Sequence, residues 1–382
     1  MSSWDYSLLA PGPVNLHPEV LRILSLPMIH HRTPEFDAIL KRVLFNLKKI
    51  FFSHQDVYIF SSTGSGGMEA LIVNVLNPGD EVLSVVSGKF GERWADMAET
   101  FGARVTRFPI PWGERFPLDQ FEDILIKKPF SAVLTQACET STGAAHPIAK
   151  MGDIVRKTQN KNCLFLVDGI TALGAYPLPM DDWNIDGLVG GSQKAFMLPT
   201  GLSFVCLSDR AWEKAEQVKT PRFYFDLRKE REANKRSETY FSSSVAHIRA
   251  LDWVLSDLLS RGIADHFKQI ERRCLFTRTF CSRLGLSLFP QSPSLSLTAL
   301  RLPPDLDGQK IRSRLESEFA ITVMGGQDQL KGKILRIGHM GYIKNIEMIR
   351  LIKALSQVLQ SEGWAFPPFD EKELVSWWEN NE

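Results

Sequence analysis

Between residues 35 and 52 the apolar positions Phe36, Ile39, Leu40, Val43, Leu44 and Leu47 recur every three or four residues with basic residues between them. That spacing predicts an amphipathic helix. After it the period changes. Residues 57–60 read as a short strand, and glycines at 64, 66 and 67 give way to a helical run from Met68. Residues 81–87 (E-V-L-S-V-V-S) predict a buried strand followed by a helix to Phe101. Residues 131–136 predict another strand, 148–157 a helix and 163–167 (C-L-F-L-V) a further strand. An apolar run then ends in paired glycines at 190 and 191. This alternation, with chemistry-bearing residues at strand ends, argues for a mostly parallel, doubly wound sheet spanning about residues 55–210. From about residue 256 the pattern becomes a long helix, a strand at 295–302, a helix at 308–319, a strand at 333–337 and a last helix at 345–362, a smaller α+β domain. Residues 10–15 (A-P-G-P-V-N) form a rigid, turn-rich entry that cannot be helix. The aromatic tail 364–382, with W-A-F-P-P-F and S-W-W, carries no period that assigns it an element.

Composition narrows the class. A chain of 382 residues, 44% hydrophobic and 23% charged, can bury a large core and is long enough for two domains. A net charge of +1 gives no field for nucleic acid or an acidic membrane, and the apolar runs are too short to span a bilayer. The stretch 222–236 is basic with interleaved aromatics, but Asp226, Glu230 and Glu232 break its field, so it reads as a solvated helix or a site rim. The first residues lack a basic n-region and are not expected to form a signal peptide. Five cysteines form no C-x-x-C pair. Cys163 and Cys206 fall in strand-like runs, and Cys274 and Cys281 lie seven apart on a helical pattern, so both pairs read as core filler in a reducing, cytoplasmic compartment. Adjacent His30 and His31 do not converge on a metal.

Four features then stand out. Lys194 follows the paired glycines and precedes a hydrophobic segment with no acid nearby. Burial disfavours an ammonium, and a free amine becomes available to attack a carbonyl. The turn at Thr63, Gly64 and Ser65 opens a helix, where unpaired N–H groups and the dipole favour an anion, yet it matches neither a Walker loop nor G-x-G-x-x-G. Phe90, flanked by glycines behind a strand, sits where open α/β sheets place ligands. Asp168, directly behind five apolar residues, needs a cation. Taken singly these read as a snorkelling lysine, a plain N-cap, a loop aromatic and a half-buried acid. One ligand accounts for all four: pyridoxal phosphate, with its phosphate, aromatic ring, pyridinium nitrogen and aldehyde.

With A-P-G-P-V-N, S-T-G-S-G-G-M-E-A, N-P-G-D, E-T-S-T-G, L-V-D-G, G-S-Q-K-A, M-G-G and L-R-I-G in that order, nearly the whole chain resembles the class V pyridoxal-phosphate enzymes of the aspartate aminotransferase superfamily. Within them it is similar to the alanine– or serine–glyoxylate (or pyruvate) aminotransferases. The resemblance implies the type I transferase fold: an N-terminal arm (1–20) that contributes to the site, a large domain (21–255) around a mostly parallel seven-stranded sheet, and a small C-terminal α+β domain (256–382). It implies catalytic roles for Lys194, as Schiff-base residue and proton shuttle, and for Asp168, at the pyridine nitrogen. Thr63, Gly64, Ser65, Gln193, Phe90, Thr140 and Ile170 would hold the cofactor. Gly12, Thr140 and Arg336 would take the substrate carboxylate, a task suited to a two-pronged guanidinium that keeps its charge; the competing reading of Arg336 is a structural ion pair. Tyr240 and Ser243 would reach the phosphate of the neighbouring subunit in a homodimer. The chain departs from relatives at Ala137, Ser65 and Phe90, where histidine, histidine and tryptophan are common. The implied activity is ping-pong transfer of the amino group of alanine or serine to glyoxylate or pyruvate. Alternatives are a 2-aminoethylphosphonate–pyruvate transaminase and a cofactor-free scaffold or hydrogenase-associated subunit. A cysteine desulfurase is disfavoured because no cysteine lies between Cys281 and Arg336.

Overall fold

The computed structural model describes residues 6–159, 162–368 and 370–381. Seven strands build the main sheet: β1 (Val57–Phe60), β2 (Glu81–Val86), β3 (Arg104–Pro109), β4 (Ala132–Gln136), β5 (Leu164–Asp168), β6 (Gly187–Gly191) and β7 (Ser203–Leu207). Their order is β1-β7-β6-β5-β4-β2-β3, with only β7 antiparallel to its neighbours. Every residue of β1, β4, β5, β6 and β7 is buried, as strands with both faces covered require. Alternation sorts their side chains between two cores. Leu134, Leu166, Val189 and Val205 face one way, while Val133, Val167, Leu188 and Phe204 face the other.

The predicted amphipathic helix is Pro34–Phe51, opened by Thr33, whose hydroxyl accepts from the Phe36 N–H, and by proline at its first position. The helix expected from Met68 instead begins at Gly64 and runs to Val75. Its glycines belong to its first turn because the helix lies too close to the sheet for side chains. A Cβ on Gly67 would come within 2.9 Å of Val189, and one on Gly64 within 2.5 Å of Ile170.

A second, antiparallel sheet comprises β8 (Ser287–Leu288), β9 (Leu297–Arg301), β10 (Met324–Gly325) and β11 (Ile334–Gly338) in the order β8-β9-β11-β10. Helices Ile263–Arg283, Gly308–Phe319 and Asn345–Ser361 pack on it around a separate core that includes Phe276, Leu335, Ile337 and Leu355. Residue 256 lies inside helix Val245–Arg261, whose Val254, Leu255 and Leu258 belong to the core of the main sheet. The aromatic tail holds one more helix, Glu371–Asn380. It is opened by an Asp370–Glu373 capping box and pinned by buried Leu374 and Trp378, the latter 4.8 Å from the ring of Phe276. Within the basic stretch 222–236, Leu227–Asn234 is helical and Asp226 ion-pairs with Arg222 and Arg228. Among the described residues no helix is long and apolar enough to cross a membrane.

The N-terminal segment ties the two sheets together. Ser7–Leu8 pairs in parallel with Ile321–Thr322, and the Gly338 N–H donates to the Leu9 carbonyl. The chain then turns at Pro11 and Gly12 toward Lys194.

Candidate active site

The carboxyl ends of the parallel strands converge on one cleft. Asp168 is the last residue of β5, in register with Gln136 and Val189, and Lys194 comes three residues after β6 ends. Thr63 follows β1 and caps the helix Gly64–Val75; Phe90 sits in the first turn of the helix Lys89–Thr100 behind β2; Thr140 follows β4. Together with Gly64, Ser65, Ile170 and Gln193 these residues line a single cleft, so nine of the residues singled out in the sequence are brought together.

Lys194 is only 9% exposed and its Nζ donates to the Pro11 carbonyl at 2.6 Å. Burial, assisted by the charge of Arg336 and opposed by Cys138 and Asp168, lowers its pKa to about 8. Gly12 presses against it, with φ +123° and room for no Cβ, which would fall 2.5 Å from Nζ. Asp168 is 6% exposed, and burial first, with the charge of Glu139 adding to it, raises its pKa to about 7. Its carboxylate accepts one hydrogen bond, from the Ile170 N–H at 2.8 Å, and meets no cation within ion-pair distance among the described residues. The acid predicted to need a partner therefore still needs one.

The cradle is equally open. Thr63 makes no side-chain cap bond, and the N–H groups of Gly64 and Ser65 find no acceptor among the described residues. The buried Oε1 of Gln193 is also without a partner. An acid lacking its cation, a helix N-terminus lacking its anion and a desolvated amine fit the nitrogen, phosphate and aldehyde of pyridoxal phosphate.

Arg336, in the middle of β11, is 7% exposed and reaches back to the same place. Its Nη1 donates to the Thr140 carbonyl at 2.8 Å and its Nε to the Gly325 carbonyl at 2.9 Å. Burial lowers its pKa to about 10. Among the described residues no carboxylate lies within ion-pair distance, so the structural ion pair weighed for it is absent. Thr140 completes the link by donating its hydroxyl to Thr171 at 2.8 Å. Tyr240 and Ser243 do not enter this cleft. Tyr240 is exposed on the loop before helix Val245–Arg261, and Ser243 lines a separate pocket with Tyr224 and Phe241, its buried hydroxyl unpartnered.

Several residues at the site escaped the sequence reading. Arg93 and Met68 line the cleft, and the Arg93 guanidinium lies 4.9 Å from the Phe90 ring. Glu139 is fully buried; its Oε2 accepts from the Phe90 and Gly91 N–H groups at 3.1 and 3.0 Å, and its Oε1 from the N–H and hydroxyl of Ser141. It caps the helix that carries Phe90. Its signal was an acid at the end of a buried strand, the same signal that drew attention to Asp168. Burial holds the Cys138 thiol protonated, up to about 12, and all five cysteines are buried and free.

A profile of the family Aminotransferase class-V matches residues 21–279. The chain belongs to the class V aminotransferases. It is 35% identical to the soluble hydrogenase 42 kDa subunit of Anabaena cylindrica, over 93% of this chain and 94% of that one. It is 34% identical to the L-aspartate–glyoxylate aminotransferase of Paracoccus denitrificans, over 93% and 91%. The solved alanine–glyoxylate aminotransferase of Nostoc sp. superposes with a TM-score of 0.89 at 31% identity, covering 93% of this chain and 95% of that one. This class V chain is thus a transaminase of the type I fold whose cofactor is pyridoxal phosphate.

Proposed function

We propose that the enzyme moves the amino group of a small amino acid, alanine or serine, to glyoxylate or pyruvate, with Lys194 as the residue that joins the cofactor and moves the proton. The observation that carries this reading is that a desolvated Lys194 amine and an Asp168 carboxylate without a cationic partner among the described residues line one cleft, with Arg336 held to the Thr140 carbonyl at its edge. When bound, pyridoxal phosphate supplies a carbonyl carbon for the amino group and a ring that accepts the electrons released when the substrate Cα–H bond breaks. The chain does the rest. The Gly64 and Ser65 N–H groups, with Thr63 and Gln193, hold the phosphate. Phe90 and Ile170 flank the ring and exclude water. Asp168 would pair with a protonated ring nitrogen, and Lys194 Nζ would carry the proton between the substrate α-carbon and the cofactor's carbonyl carbon. Arg336 grips the α-carboxylate, with Gly12 and Thr140 completing that pocket. Similarity to the glyoxylate aminotransferases of Paracoccus denitrificans and Nostoc sp. supports glyoxylate as acceptor.

On this reading residues 1–20 act as an arm, 21–255 as the large domain and 256–382 as the small one; the two separate cores support two domains, with the helix that spans residue 256 packed in the first core. The enzyme is a homodimer in which Tyr240 and Ser243 serve the neighbour's phosphate, supported by their absence from their own cleft and by the exposed Phe223, Tyr224 and Tyr240 beside them. A cytoplasmic location is supported by the five free, buried cysteines.

The test is visible absorbance of the purified holoenzyme, followed on adding alanine, serine or 2-aminoethylphosphonate and then glyoxylate or pyruvate. Bleaching by alanine or serine, with recovery on adding an oxo acid, is expected. Bleaching by 2-aminoethylphosphonate alone would assign the donor to that transaminase instead. A colourless protein that takes up no cofactor would leave the hydrogenase-associated scaffold.

A further inference from the structure

Behind the Lys194 loop lies a second cavity of about 310 Å³, distinct from the cleft that holds Asp168. Helix Ile263–Arg283 contributes His266, Gln269, Arg272 and Arg273, and the start of helix Asn345–Ser361 forms another wall. Two of its guanidiniums have no carboxylate within ion-pair distance among the described residues. Arg272 donates Nη2 to the Trp378 carbonyl at 3.2 Å while its buried Nε has no partner. Arg273 donates Nη1 to the His339 and Gly341 carbonyls at 3.1 and 3.4 Å, and it feels the charge of Glu347 without meeting it. Burial lowers the Arg273 pKa to about 10, a measure of how far it is removed from water. Arg261 is the exception, since Asp257 neutralises it. His266 is only 5% exposed and lines the cavity, and its buried Nε2 has no hydrogen-bond partner among the described residues. Both guanidiniums are half-buried, and partial burial without counter-charge is costly, as is the buried unpartnered nitrogen beside them.

We infer that this cavity is a binding site for a small organic dianion, a phosphate monoester or a dicarboxylate. Two fork-shaped guanidiniums match such a group. The volume, near the lower end for small-molecule sites, exceeds what a bare ion fills. Met197, Tyr342 and Ile343 offer apolar wall for a short carbon frame. The position also links the site to catalysis. Met197 lies three residues beyond Lys194 and its N–H donates to the Lys194 carbonyl at 3.0 Å. His17, on another wall, belongs to the N-terminal segment whose Pro11 carbonyl holds Lys194 Nζ. An anion seated here touches the lysine loop, the arm and the second sheet's helices at once, so its binding is coupled to their arrangement.

Calorimetric titration of the holoenzyme with glycerol 3-phosphate and, separately, malonate tests the site. The Arg336→Gln holoenzyme is titrated in parallel to remove binding at the substrate cleft. We expect saturable binding of at least one of the two, one per chain and retained in Arg336→Gln, and whichever binds identifies the source of the dianion. Gln269→Glu, a change at an exposed position that puts a negative charge at the cavity, and Arg272→Gln should each weaken binding about tenfold. Gln269→Glu decides the matter if Arg272→Gln fails to fold. No saturable binding of either probe, binding that Gln269→Glu leaves unchanged, or binding abolished by Arg336→Gln alone would overturn the inference.

Discussion

Asp168 is the residue whose energetics respond most directly to a cationic partner. Its ordinary pKa is 3.8 and burial lifts it to about 7, so between those values the folded apoenzyme binds more protons than the unfolded chain. Stability therefore falls as pH rises through that window, and the whole penalty is present above pH 7. Asp168→Asn removes it. We expect the apo variant to be more stable than the parent apoenzyme at pH 8, by about 4 kcal/mol, with the gap closing toward pH 4. Cofactor should reverse the order, because a protonated ring nitrogen gives the carboxylate its partner. Thermal melts of both proteins, with and without cofactor at the two pH values, check this; an apo variant less stable than the parent at pH 8 would contradict it.

At the scale of single elements, Glu139 shows what joins a strand end to the cofactor cleft. It accepts two of the first-turn N–H groups of the helix that carries Phe90, those of Phe90 and Gly91, while the Lys89 N–H goes to the Ser141 hydroxyl. Glu139→Ala strands those N–H groups and should cost about 2–4 kcal/mol in urea unfolding, with weaker cofactor binding because Phe90 loses its anchor. Wild-type stability in that variant would refute the capping role. The elements also explain what could be read in advance. Strands such as Val57–Phe60 and helix Gly308–Phe319 were legible because continuous apolar runs and a clean helical period leave little choice. The start of helix Gly64–Val75 was not, since glycine normally ends helical runs, and only packing against Val189 and Ile170 makes it the right residue there. The last helix carried a legible signal, Asp370 three residues before Glu373, which the neighbouring prolines and aromatics obscured. Lys194 and Asp168 stood out by their chemistry, and Arg336 only through the ordered motifs of the resemblance. The Pro11 carbonyl, Arg93 and Thr171 did not, because their roles arise from strand order and chain reversal, which local pattern does not encode.

At the scale of the molecule, Tyr240 and Ser243 lie outside their own cleft, and the proposed homodimer is what would bring them to one. If each cleft borrows these residues from its neighbour, inactive variants can rescue one another. Refolding Lys194→Ala together with a Tyr240→Ala, Ser243→Ala double variant gives mixed dimers with one intact site, so an equimolar mixture should regain about one quarter of parental activity under random assembly. Activity no greater than that of the separate variants would mean that both residues serve their own chain or neither.

Lys194 is the residue on which the proposed chemistry turns, and the most direct measurement is to trap what it holds. Borohydride reduction of the holoenzyme, followed by proteolysis and mass mapping, should place a pyridoxyl group on the Lys194 peptide, and a folded Lys194→Ala protein should take none. Label on a different lysine, or a cofactor-saturated enzyme that acquires no label, would contradict it.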